Sequence, residues 1–170
     1  MRITKFGHAC IRIEHDGHTI VVDPGGFTQP EAVDGADAVL ITHEHPDHYF
    51  PDHLARTDAP VLTIEAVAKR IREEAPDVAE RLTVVSPGES FEAAGLPVRA
   101  VGELHAVIHP DLPRFDNSGY VVTLGDSTIY HPGDTTVSRS ARSGASSRIR
   151  FATASIVRTG ASVRARWSGK

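Results

Sequence analysis

The segment Thr42-His43-Glu44-His45-Pro46-Asp47-His48 constrains this chain more than any other. Four side chains able to hold a metal ion fall within six residues, directly after the apolar run 36–42 that predicts a short buried strand. His43 and His45 are two residues apart, and in extended chain such residues face one side, so both imidazoles can reach one cation. The chain then turns at Pro46 and presents Asp47 and His48 further on, where a second cation fits. Imidazole with carboxylate suits Zn²⁺, and also Mn²⁺ or Fe²⁺. With no cysteine in the cluster, an open hydrolytic site fits better than a closed structural one. All ten histidines lie between His8 and His131.

The remaining pattern predicts many short strands with few helices. Strands are expected over 1–6, 9–14, 18–23, 36–42, 60–64, 82–86, 90–93, 97–102, 119–124 and 127–131, mostly antiparallel, with hairpin turns at Asp16-Gly17 and Gly125-Asp126. A helix is expected over 65–75, stopped by Pro76, and a short one from about Pro46 to Leu54. This mixture predicts an α/β (α+β) chain of two packed sheets with outer helices. Cys10 is expected in the core, and His15, His18 and His53 in solvent. The start of the chain has no signal-peptide pattern, no apolar run is long enough for a bilayer span, and the single cysteine excludes an intrachain disulfide; a cytoplasmic setting is expected.

Charge divides the chain in two. Residues 1–137 carry all 22 acids against 10 bases, a balance of −12, whereas residues 138–170 carry 8 bases and no acid. The first stretch is expected to be the folded domain, and the Ser/Arg-rich second stretch an unstructured tail. So abrupt a change after Val137 predicts a shifted reading frame or a truncation. The acidic balance of the domain argues against a nucleic-acid partner, and a small-molecule substrate is the expected one. Nothing in the sequence sets an oligomeric state.

The motif His43-Glu44-His45-Pro46-Asp47-His48 resembles the His-x-His-x-Asp-His hallmark of the metallo-β-lactamase superfamily. Val21-Val22-Asp23-Pro24-Gly25, Gly102-Glu103-Leu104-His105 and Tyr130-His131-Pro132-Gly133-Asp134-Thr135 resemble its further motifs in the same order. Gly7-His8 and Asn117-Ser118-Gly119-Tyr120 look most like a bacterial subgroup related to ascorbate-6-phosphate lactonase. The resemblance implies an αββα sandwich and a metal-dependent hydrolase of an ester, lactone or phosphoester, working through a metal-activated hydroxide. It implies that His43, His45 and His105 hold a first ion, Asp47 and His48 a second, and Asp134 both. Asp47 would also orient the attacking hydroxide. His8 reads either as a contact to substrate or transition state or as a partly buried histidine beside a hairpin. Asp23 would fix a histidine tautomer from behind. His109 and Asn117 either line the pocket or only shape a loop with Pro110 and Pro113.

The family's second metal takes one further histidine near the C-terminus, and this chain has none after His131. A sandwich incomplete in its C-terminal half, weak occupancy of the second position and impaired activity are therefore expected. The competing readings are a non-catalytic metal-binding remnant and a nucleic-acid-processing metallo-hydrolase.

Overall fold

A computed structural model describes residues 1–102 and 104–135 and the strand at 148–151. Among the described residues, eleven strands form two sheets. The first contains β1 (Arg2–Lys5), β2 (Ile11–His15), β3 (His18–Val22), β4 (Ala38–Ile41), β5 (Val61–Thr63) and β6 (Leu82–Val84) in chain order. The second contains β7 (Ser90–Ala93), β8 (Leu96–Val101), β9 (Gly119–Leu124), β10 (Ser127–His131) and β11 (Arg148–Phe151), in the order β11-β10-β9-β8-β7.

The hairpins follow the turn chemistry. Asp16 and Gly17 both take positive φ, 50° and 84°, as the tight turn between β2 and β3 requires. The expected antiparallel character is corrected in most of the first sheet, where β3, β4, β5 and β6 pair parallel. Parallel neighbours need crossovers, and these carry a 3-10 turn at Pro30–Val33 and the helices α1 (Pro51–Leu54), α2 (Glu65–Glu74) and α3 (Pro76–Ala79). The helix expected from Pro46 begins only at Pro51, because Pro51 sits in the first turn and cannot donate within a longer helix. Pro76 ends α2 as expected and also opens α3, where its missing N–H costs nothing.

One core lies between the sheets, where Ile13, Ile20, Val22 and Leu40 meet Val98, Ala100, Tyr120, Val122 and Ile129. A second core lies on the other face of the first sheet, where Val39, Ile41 and Val61 pack against Leu54, Val67, Ile71 and Val78 of the helices. Burying α2 on its Val67, Ala68 and Ile71 face leaves Lys69, Arg72 and Glu73 outward. The layers are therefore helix, sheet, sheet, and among the described residues no helix follows α3. Two bonds register the sheets at the end that carries the histidines: the Tyr120 hydroxyl donates to the Ile41 carbonyl (2.8 Å) and Ser118 N–H donates to the Thr42 carbonyl (2.9 Å).

Residues 148–151 belong to the stretch most of which is expected to be unstructured. There β11 pairs parallel with β10, Ser127 opposite Arg148 and Tyr130 opposite Phe151, along the edge of β10 that β9 leaves free. The rest of 138–170, and with it most of the expected tail, lies outside the described residues. No helix among the described residues is long and apolar enough to cross a membrane.

Cys10 is fully buried beside Val21, Ala32 and Val33, as expected. His53 departs from expectation: it is buried, and its Nδ1–H donates to the Pro24 carbonyl at 3.1 Å, bracing the turn that follows β3. His15 is also only partly exposed, whereas His18 faces solvent.

Candidate metal centre

The parallel strands β3 and β4 end side by side, and their ends carry the site. Asp23 follows β3 with φ of 52°, a left-handed conformation that Asp tolerates, and its N–H donates to Leu40 O. This turn aims the carboxylate under the 42–48 loop. Asp23 Oδ1 accepts the Thr42 N–H and Oδ2 the Thr42 hydroxyl, each at 2.8 Å, and Oδ2 also accepts from His48 Nδ1 at 2.7 Å.

These bonds decide tautomers. The Thr42 hydroxyl donates to Asp23, so it accepts from His43 Nδ1–H at 2.9 Å, which leaves His43 Nε2 with its lone pair. His48 Nδ1 donates to Asp23, and His105 Nδ1 donates to the Ala106 carbonyl at 2.6 Å. Two histidines of one loop and a third from far along the chain thus turn Nε2 the same way, toward a common interior. His45 completes the group through its other nitrogen, Nδ1, 3.0 Å from His43 Nε2.

Asp134 arrives from the end of β10. Its N–H donates to Asn117 Oδ1 at 3.1 Å and its carbonyl accepts from Ala106 N–H at 2.8 Å, which ties it to the loop carrying His105. Gly133 is needed before it: φ is +60°, and a Cβ there would lie 2.4 Å from Asn117 Oδ1 and 2.7 Å from Thr42. The carboxylate stands 3.3 Å from His48 Nε2 and 3.5 Å from His105 Nε2. His8, on the connection between β1 and β2, places Nε2 2.6 Å from Asp47 Oδ2.

Electrostatics divide the histidines. Burial and then the positive charge on His48 push His43 down to about 3, so its imidazole is neutral, the form that ligates a cation. Burial and then His105 lower His45. Burial also opposes charge on His48, but the Asp23 carboxylate bonded to Nδ1 and the Asp134 carboxylate near Nε2 outweigh it and raise the group to about 10, so without a metal His48 carries a proton that a bound cation would displace. The His48 imidazole 3.3 Å away holds Asp134 well below the usual carboxylate range.

The donor set fits a dication. One ligand atom from each of His43, His45 and His105 lies within 4.8 Å of the others, and the same holds for His43, His48 and Asp134 and for His8, Asp47 and His48. The buried Nε2 atoms of His48 and His105 have no hydrogen-bond partner. Buried polar atoms are seldom left so unless something else binds them.

The structure thus brings together His43, His45, Asp47, His48, His105 and Asp134, with His8 at the margin and Asp23 beneath. The two expected pocket residues separate. Asn117 is buried; its Nδ2 donates to the Pro132 carbonyl at 3.1 Å while its Oδ1 holds Asp134. It also borders a cavity of about 290 Å³ together with Ile64, Glu65, Ser86 and Asp116. His109 lies on an exposed loop, where its Nδ1 accepts from Asp111 N–H at 3.2 Å, and it belongs to none of the three donor groups.

Sequence reasoning missed the roles of Thr42, Ala106 and Arg70. Arg70 on α2 donates to the Glu44 carbonyl at 2.9 Å and pins the histidine loop from the helix side. Thr42 carried a signal in its place directly before His43. The Ala106 contact is made by a backbone carbonyl, which any residue supplies.

A profile of the β-lactamase superfamily domain matches residues 2–149. Protein Rv0786c of Mycobacterium tuberculosis is 38% identical over 142 residues, covering 79% of this chain and 64% of that one. A UPF0173 metal-dependent hydrolase of Methanopyrus kandleri is 29% identical over 153 residues, covering 81% and 64%. This chain therefore spans a little under two thirds of these relatives' length. Among solved structures, the diiron β-hydroxylase CmlA of Streptomyces venezuelae superposes with a TM-score of 0.63 at 23% identity, covering 81% of this chain and 30% of that one. Igni18, a metallo hydrolase of Ignicoccus hospitalis, gives 0.60 at 23%, covering 81% and 62%. Both share the fold.

Proposed function

The chain belongs to the β-lactamase superfamily and has the metallo-β-lactamase fold, and from that premise we propose that it is a metal-dependent hydrolase of an ester, lactone or phosphoester bond in a small molecule. The observation that carries the proposal is the convergence of His43, His45 and His105 on one point with Asp134 beside them. His43, His45 and His105 would hold a first divalent ion, Asp47 and His48 a second, with Asp134 shared between them. A dication there supplies Lewis acidity, polarising a carbonyl or phosphoryl oxygen and making bound water acidic enough to ionise near neutral pH.

The chain's own groups do the rest. Thr42, Asp23 and the Ala106 carbonyl hold the imidazole Nδ1–H groups and so keep each Nε2 as a donor atom. Asp47, partly exposed at the mouth, is the carboxylate placed to orient an attacking water and take its proton. The Phe115 ring meets His45 edge to face (4.6 Å) and lies 6.5 Å from His105, placing an apolar ring on that side.

Zinc is the proposed metal, since imidazole and carboxylate suit it, with manganese and iron as the alternatives. A reducing cytoplasmic setting belongs to the same proposal and is supported by the buried, unpaired Cys10.

The test is turnover of a lactone, a carboxylic ester and a phosphodiester by purified protein loaded in turn with Zn²⁺, Mn²⁺ and Fe²⁺. Turnover of one substrate class, abolished by His105→Ala and by chelation, is expected. Stoichiometric metal binding with no turnover of any class would replace the enzyme with the non-catalytic metal-binding reading.

A further inference from the structure

We infer that His8 is a metal ligand, supplying a fourth protein donor to the second cation position beside Asp47, His48 and the shared Asp134. The inference rests on the proposed metal centre and adds to it a residue from the opposite end of the chain.

Asp47 Oδ2 lies between two imidazoles, 2.6 Å from His8 Nε2 and 3.7 Å from His48 Nε2. One donor atom from each of His8, Asp47 and His48 falls within 4.8 Å of the others, the same spacing that groups His43, His45 and His105. His48 Nε2 is buried and has no hydrogen bond, so an unpartnered nitrogen faces this group from inside. Asp134 approaches the same atom at 3.3 Å, placing a carboxylate between the two positions. Two imidazoles and two carboxylates are a donor set suited to a catalytic divalent ion.

His8 is held for this role. Phe6 N–H donates to the Cys10 carbonyl at 3.0 Å and closes the connection that carries His8. Lys5 Nζ contacts the His8 carbonyl. Gly7 passes so close to the next loop that a Cβ would stand 2.6 Å from the Phe27 carbonyl. The His8 ring meets Phe27 edge to face at 5.7 Å on one side and His48 at 5.5 Å on the other. A half-exposed histidine making only a surface ion pair with Asp47 would need none of these restraints.

The test counts ions. The full chain is stripped with a chelator and titrated with Co²⁺ and with Zn²⁺. Equivalents are measured by elemental analysis after desalting, and cobalt absorption follows each position. Two equivalents are expected for the wild type, the second weaker because His8 is its most exposed donor. In His8→Ala the Kd of the second equivalent should rise at least tenfold while the first is unchanged. His8→Gln, which keeps bulk beside Phe27 without an imidazole, should behave the same way. Two equivalents of unchanged affinity in both variants overturn the inference. A wild type that binds one equivalent, lost in His105→Ala, overturns it while leaving the first position standing. A wild type that binds none overturns both.

Discussion

His48 Nδ1 lies 2.7 Å from Asp23 Oδ2, and neither side chain has any solvent exposure. A buried carboxylate behind a ligating histidine fixes the tautomer and raises the basicity of the nitrogen that faces the metal. Asp23 holds Thr42 as well, and through its hydroxyl His43. Asp23→Asn keeps the shape and removes the charge. It should weaken metal binding about 10- to 100-fold, measured by competition with a chromophoric chelator. Unchanged affinity would remove Asp23 from the site.

Asn117 should act on the metal through Asp134. Asn117→Ala leaves the Asp134 N–H and the Pro132 carbonyl without partners and should cost about 2 kcal/mol in denaturant unfolding, together with weaker metal binding. Asn117→Asp retains an acceptor for Asp134 N–H but loses the donor to Pro132. It should recover part of the metal affinity. If both variants bind metal as the wild type does, the amide only packs.

Gly25 is a test of close approach. A Cβ at this position would lie 1.9 Å from the Asp47 carbonyl oxygen, and backbone cannot swing aside as a side chain does. Gly25→Ala should cost more than about 3 kcal/mol or displace the 45–48 loop, lowering soluble yield and metal content together. A variant of wild-type stability would mean that the β3 and β4 ends are held further apart.

Cys10 gives a pH signature. Burial, and then the negative charge of Asp23, push its thiol up from the usual value near 9.0. The folded chain keeps the proton where the unfolded chain releases it, so this contribution is complete below pH 9 and declines as pH rises above it. The slope is at most about 1.4 kcal/mol per pH unit. Stability of wild type and Cys10→Ala measured from pH 8 to 10.5 should converge as pH rises, and their difference isolates the thiol from other titrating groups. Iodoacetamide should label the native chain far more slowly than the unfolded chain. Equal labelling rates would refute the burial of Cys10.

Local chemistry made much of this protein readable in one dimension. Alternation, Gly and Pro punctuation and the two-residue turn at Asp16-Gly17 act over a few residues, so the strands from Arg2–Lys5 to Ser127–His131 emerge within a residue or two of their expected bounds. The spacing of His43, His45, Asp47 and His48 likewise declares a metal site, because ligands so close in sequence need little else to converge. Tertiary structure alone decided the rest. Parallel pairing of β3 to β6 depends on crossovers packing across a sheet, and the pairing of β11 depends on the open edge of β10. The tautomers of His43, His48 and His105 depend on a hydroxyl, a carboxylate and a carbonyl brought up from behind, and the meeting of His8 with Asp47 spans 39 positions. Such contacts form only once the cores have closed, and no periodicity along the chain encodes them.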